Sequence, residues 1–165
     1  MNKVHFSSVD QTFATPKILF SQLDAEFHFT IDACATKATA KTKRFYSIED
    51  DGLSHSWQGE RVFMNPPYGD AMGVWMEKAY TEAGKNCLVV CLIAARTDTQ
   101  WWHDYVMRAS QIRFIKGRVP FKRDESGAHA DKPKSIPPFP SCVVVFPGNC
   151  RAPKISTLKQ WIDVF

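Results

Sequence analysis

From Cys87 to Ala95 the chain runs through nine consecutive apolar residues, Cys-Leu-Val-Val-Cys-Leu-Ile-Ala-Ala, and this stretch narrows the possible folds more than any other. It is about half as long as a helix that crosses a bilayer, so it belongs inside a folded domain. A strand of Val, Leu and Ile without polar alternation has both faces covered. That is the situation of an inner strand in a parallel sheet flanked by helices.

The flanking segments agree with this. Arg61 to Met64 is a short apolar run halted by Asn65-Pro66-Pro67-Tyr68, because two consecutive prolines cannot continue a central ladder. After Asp70 the apolar residues Met72, Trp75, Met76, Ala79, Tyr80 and Ala83 recur at spacings of three and four, with Gly84 as a C-terminal cap. Strand, amphipathic helix and apolar strand form a crossover unit. Thr15-Pro16 ahead of Ile18, Leu19 and Leu23 reads as a helix start, with the hydroxyl at the N-cap and proline at the first helical position. Phe27, Phe29 and Ile31 alternate with His28 and Thr30 and predict a first strand ending at Asp32-Ala33-Cys34-Ala35. Lys43 to Ser47 is read as a shortened second strand. Asp98 to Met107 predicts a helix, and Ile112 to Ile115 and Cys142 to Phe146 predict strands. Trp101 and Trp102, adjacent in that helix, cannot both face one core.

The expected fold class is therefore α/β, a mostly parallel central sheet with helices around it, in a single domain over residues 1–165. In such sheets ligands gather at the carboxyl ends of the strands. A composition of 44% hydrophobic and 23% charged residues excludes a disordered or collagenous chain. The first fourteen residues lack an apolar stretch behind a basic start, so neither a secretory signal nor a membrane association is expected. Five cysteines (Cys34, Cys87, Cys91, Cys142 and Cys150) are then read as reduced cytoplasmic thiols. Cys87 and Cys91 lie inside one apolar strand and the five histidines are scattered, so no metal is assigned.

Asn65-Pro66-Pro67-Tyr68 occupies the strand end where such a sheet places its site. The Asn65 side-chain oxygen and the Pro66 carbonyl can each accept one hydrogen of an amino group. Pro66 and Pro67 fix the chain and bring no competing N–H. An exocyclic amine on a flat ring is a poor nucleophile because its lone pair is delocalised. Two fixed acceptors favour the tetrahedral form that can attack, which is stabilisation of the transition state by oriented dipoles. Tyr68 adds a face on which a base can stack. The bland alternative is that the prolines end a strand and Tyr68 fills a gap.

Seven landmarks in order resemble the small phage-type DNA N6-adenine methyltransferases, a Dam-like family of S-adenosylmethionine-dependent enzymes. They are Phe13-Ala14-Thr15-Pro16 with Leu19-Phe20; Phe29-Thr30-Ile31-Asp32-Ala33-Cys34-Ala35; Asp51-Gly52-Leu53 with Trp57; Asn65-Pro66-Pro67-Tyr68-Gly69; Ala95-Arg96-Thr97-Asp98-Thr99 with Trp101-Trp102-His103; Lys116-Gly117-Arg118 with Phe121; and Phe139-Pro140-Ser141. The resemblance covers Asp10 to about Pro147. It implies a Rossmann-like class I methyltransferase domain. It also implies a cofactor pocket of Thr15, Pro16, Asp32, Ala33, Cys34, Ala35 and Asp51, with Asn65 and Pro66 between cofactor and target. The expected reaction is methylation of adenine N6 in DNA after base flipping. The chain departs from many methyltransferases at Thr36-Lys37-Ala38-Thr39-Ala40, where no glycine-rich turn follows the first strand. Asp32 can also be read as a turn carboxylate, Asp51-Gly52 as an ordinary turn, and Arg96-Thr97-Asp98 as a helix cap.

Charge supports an anionic partner by its placement. The chain carries +4, and the stretch from Gln111 to Lys134, with seven cations and three anions, accounts for all of it. Residues 116–140 contain five prolines and two glycines and read as a long loop that contacts DNA, with Lys122 and Arg123 on phosphates. Phe121 or Phe139 would cover the second face of the extruded base opposite Tyr68. A merely solvated loop is the alternative. RNA or a protein glutamine also presents a planar amino group to such a turn, and a catalytically silent DNA-binding decoy could keep the fold without turnover. No protein partner is implied, and host cytoplasm, bacterial or phage-infected, is the expected location.

Overall fold

The computed structural model describes residues 13–123, 137–148 and 154–158. Its strands are β1 (Phe13–Ala14), β2 (Ile31–Asp32), β3 (Arg61–Met64), β4 (Leu88–Ala94), β5 (Gln111–Ile115), β6 (Lys122–Arg123), β7 (Ser141–Phe146) and β8 (Lys154–Leu158). Its helices are α1 (Lys17–Phe27), α2 (Met72–Ala83) and α3 (Gln100–Asp104), the last followed by a 3-10 turn at Val106–Arg108. Among the described residues, six strands form one sheet in the order β2-β3-β4-β7-β5-β8, and β1 pairs with β6 apart from it.

β4 lies inside the sheet, parallel to β3 on one side, and its last six residues are fully buried. β2 extends the parallel part beyond β3. β7 runs against both its neighbours, β4 and β5, whereas β8 is parallel to β5. Five strands thus run one way and β7 the other. The reversal follows from where the chain re-enters the sheet. Ala95 N–H donates to the Pro140 carbonyl at 2.9 Å, so Ser141 begins opposite Ala94, at the carboxyl end of β4, and can only run back.

The N-terminal helix is longer than Thr15 and Pro16 alone suggest, and the first strand is shorter. Leu19, Phe20, Leu23 and Phe27 form one buried stripe, so Phe27 closes α1 instead of opening a strand. His28 takes the left-handed conformation at the C-cap (φ 51°), and Asp24 accepts the Phe29 N–H at 2.8 Å. Phe29 then packs on Phe20 and Phe63, leaving Ile31–Asp32 as β2. Pro16 stands at the N-cap without a side-chain cap, and the Thr15 hydroxyl is used elsewhere. The expected second strand reduces to one parallel bridge between Asp32 and Phe45. Gly84 ends α2 in a right-handed conformation, and the left-handed residue is Asn86 (φ 60°). Of the tryptophan pair, Trp102 is buried and Trp101 partly so.

The loop from Ser47 to Glu60 is anchored to α2 through a buried carboxylate. Glu82, 1% exposed, accepts the Trp57 N–H at 2.7 Å and the ammonium groups of Lys78 and Lys85 at 2.9 and 3.0 Å. Burial works to raise its pKa, but the two lysines and the amide outweigh it and bring Glu82 down to about 2 from 4.5. A depressed carboxylate pKa contributes stability that is complete above about 4.5 and is lost as pH falls toward about 2. Glu82→Gln is therefore expected to unfold about 3 kcal/mol more easily at neutral pH. Denaturant midpoints should converge with those of the parent as the pH drops through that window, and a gap independent of pH would contradict this.

Candidate functional site

The carboxyl ends of β2, β3 and β4 deliver Ala33–Ala35, Asn65–Tyr68 and Ala95–Arg96 to one edge of the sheet. β1 reaches the same edge: Asn65 donates from its side-chain nitrogen to the Phe13 carbonyl at 2.7 Å and to Thr15 Oγ1 at 3.1 Å. β1 is held in turn by its antiparallel pairing with β6, Phe13 opposite Arg123 and Ala14 opposite Lys122. Neither two-residue strand has a periodic signature, so sequence patterning does not reveal this pairing. It nevertheless brings the main chain of the basic segment beside the Asn65 turn.

The amide of Asn65 is fixed by these contacts. A carbonyl oxygen can only accept, so the atom next to the Phe13 carbonyl is the NH2 group, and Oδ1 faces the other way. The Tyr68 hydroxyl approaches Oδ1 at a long 3.4 Å, leaving acceptor capacity on that oxygen. Asn65 is half-buried, Pro66 buried and Pro67 half-buried. The Asn65 main-chain N–H turns to Cys34, whose thiol is pushed well up by burial and by the nearby Asp32.

Tyr68 sits among Phe13 (5.7 Å between ring centroids), Phe121 (6.0 Å) and Phe139 (4.9 Å), and burial pushes its hydroxyl far above the ordinary range, so it stays protonated. Arg96 lies over the Phe139 ring at 5.7 Å. A base held between two rings needs about 7 Å, twice the stacking rise. Tyr68 and Phe139 are too close for that, so the expected sandwich is shut in this conformation, with Phe139 itself on Tyr68. Phe121 is fully buried and fills the cluster from the side.

The residues expected to meet a cofactor divide into two groups. Asp32, 3% exposed, accepts the Lys41 N–H at 3.1 Å and the Cys34 N–H at 3.5 Å. Burial raises its pKa to about 6 against those two bonds. It acts here as the turn carboxylate that shapes residues 33–41, and this explains how the loop holds together without glycines. Thr15, 4% exposed, is occupied by Asn65. Ala33 is buried, while Cys34, Ala35 and Pro16 are partly accessible at the edge. Asp51 is exposed and left-handed (φ 52°). It is brought to the end of β2 by Gly52, where an added Cβ would lie 2.3 Å from the Ala33 carbonyl oxygen. That close approach is the structural content of the Asp-Gly pair.

Cys34 and Ala35, partly accessible, and the exposed Asp51 carboxylate are residues of this edge that a ligand could reach. His103 points its Nε2 to the Thr97 carbonyl at 2.9 Å and pins its own turn. Among the described residues no group of three metal-ligating side chains occurs, and no helix is long and apolar enough to cross a membrane. Asp10 and residues 124–136, with Lys132 and Lys134 of the basic stretch, lie outside the described residues, as does Cys150.

A sequence profile described as DNA N-6-adenine-methyltransferase (Dam) matches residues 4–157. A protein from Haemophilus phage HP1 (strain HP1c1), named DNA N-6-adenine-methyltransferase, is 30% identical over 155 residues, which are 92% of this chain and 86% of that protein. A protein of the same name from Escherichia phage T1 is 24% identical over 141 residues, 75% of this chain and 59% of its own length.

Proposed function

Because the chain belongs to the DNA N-6-adenine-methyltransferase (Dam) family, we propose that it is an adenine-specific DNA methyltransferase that uses S-adenosylmethionine and grips the target amine with the Asn65 turn. The observation that carries this reading is the fixed amide of Asn65, its donors spent on Phe13 in β1 and on Thr15 just after it, and its oxygen left to accept. We read the sheet as the Rossmann-like class I arrangement, supported by five strands in one direction and one reversed strand between β4 and β5.

S-adenosylmethionine, when bound, supplies a methyl group made electrophilic by the sulfonium. Ala33, Cys34 and Ala35 would give it room against the main chain, and Asp51 would accept from its hydroxyls. Asp32 keeps that loop in shape from beneath. Asn65 Oδ1 and the Pro66 carbonyl take one amine hydrogen each and draw the nitrogen lone pair out of conjugation. Pro67 stiffens the turn, Tyr68 supports the ring, and the surplus proton leaves to water. Adenine leaves the stack to reach the turn, at a cost of a few kcal/mol that phosphate contacts offset. Phe139 swings off Tyr68 to admit it.

β6 places the main chain of Lys122 and Arg123 beside β1, and we assign their cationic side chains to the DNA backbone. Charge reversal at both is expected to weaken DNA binding and to flatten the plot of log affinity against log salt by about 2. An unchanged slope would remove this segment from the interface.

Labelled-methyl transfer to unmethylated DNA, RNA and protein in parallel tests the function. Label in DNA alone is expected. Label in RNA or protein would reassign the acceptor, and cofactor binding without label anywhere would mark a silent DNA-binding protein.

A further inference from the structure

We infer that β1 is the positioning element for Asn65: the Phe13 carbonyl selects the amide orientation in which Oδ1 meets the target amine, and Thr15 holds the amide in it. The inference rests on the reading of Asn65 as the amine acceptor and goes beyond it by giving Thr15 a role other than cofactor contact.

An asparagine amide has two nearly isosteric orientations, and only one presents oxygen to an amine. At Asn65 the choice is made from behind. The Phe13 carbonyl, 2.7 Å from the side-chain nitrogen, accepts one N–H, and Thr15 Oγ1, 3.1 Å away, accepts the other. Flipping the amide would set Oδ1 against the Phe13 carbonyl, two acceptors face to face. Thr15 is buried, so water does not replace its hydroxyl easily, and the hydroxyl is not diverted to capping α1. The Phe13 carbonyl is itself kept in place by the β1–β6 pairing. The same arrangement explains why an amide suits position 65: a carboxylate would bring no donor to the Phe13 carbonyl.

The test compares the parent with Thr15→Val, which keeps the shape and removes the acceptor, and Thr15→Ser, which keeps the acceptor. Three quantities are read in each: turnover at saturating S-adenosylmethionine and DNA, cofactor dissociation constant, and hydrogen exchange of the Asn65 side-chain amide by NMR. Thr15→Val is expected to lower turnover about tenfold, to leave the dissociation constant within about twofold, and to speed exchange of one Asn65 proton. Thr15→Ser is expected to restore most of the turnover and the slow exchange. Parental turnover and exchange in Thr15→Val would overturn the inference. So would weakened cofactor binding with full turnover at saturation, which would return Thr15 to the cofactor pocket. If the parent methylates no adenine, the reading of Asn65 fails separately, and the exchange data still report whether Thr15 holds the amide.

Discussion

Replacing Asn65 by alanine is expected to lower methyl transfer about 10²–10³-fold while cofactor affinity stays within about threefold of the parent. The asymmetry follows from what Asn65 touches. Its nitrogen is tied to Phe13 and Thr15, and its oxygen meets the Tyr68 hydroxyl at a long 3.4 Å that leaves it room to accept. Removing the side chain deletes one of two acceptors for the amine, an interaction gained only as the nitrogen becomes tetrahedral. Such a loss falls on turnover rather than on ground-state binding. It also leaves the Phe13 carbonyl without its partner, a cost of about 1–3 kcal/mol in stability. Thermal unfolding of the variant therefore accompanies the kinetics, measured well below its midpoint. Parental turnover in Asn65→Ala would deny the residue its role.

Gly52→Ala carries the largest structural effect. The new Cβ would stand 2.3 Å from the Ala33 carbonyl oxygen, with the Tyr46 Cβ at 3.2 Å and the Trp75 ring at 3.4 Å. The nearest obstacle is main chain at the end of β2, which no rotamer change relieves. Trp57 also donates its indole N–H to the Gly52 carbonyl at 3.0 Å, so any shift of Gly52 disturbs a fully buried ring. A loss of about 3 kcal/mol is expected, the upper part of the range for overpacked sites. S-adenosylmethionine affinity should fall as well, since Asp51 moves with its neighbour. A denaturant midpoint equal to that of the parent would contradict the close approach of Gly52 to the Ala33 carbonyl.

The parts of the fold that were legible in the chain are those where periodicity reports burial. The apolar run ending at Ala94 became the inner strand β4, the spacing of Met72 to Ala83 became α2, and Pro66 and Pro67 stop β3 at Met64. Phe27 and Phe29 misled because alternation over five residues fits a strand as well as the end of a helix followed by an extended turn. The left-handed His28 between them breaks the pattern without leaving a signature in residue type. The direction of β7 was hidden for a different reason: composition reports burial but not polarity, and only the return of the chain at Pro140 settles it.

In the candidate site, Asn65 to Tyr68 was expected at a strand end and does follow β3, whereas the hydrogen bond between Thr15 and Asn65 was not foreseen. A threonine before a proline at a helix start fits the capping pattern, and its actual partner lies fifty residues away. Asp32 was expected at the cofactor, and its two hydrogen bonds run back into its own loop, as the alternative reading of a turn carboxylate has it. Phe13 went unassigned because it contributes a carbonyl, which every residue has.

Mass spectrometry of nucleosides from DNA incubated with the protein and isotope-labelled S-adenosylmethionine puts the whole account at risk in one step. The label is expected in N6-methyldeoxyadenosine, and it should fall about 10²–10³-fold with Asn65→Ala. Label in a methylated cytosine, or equal labelling of adenine by parent and variant, would contradict the account.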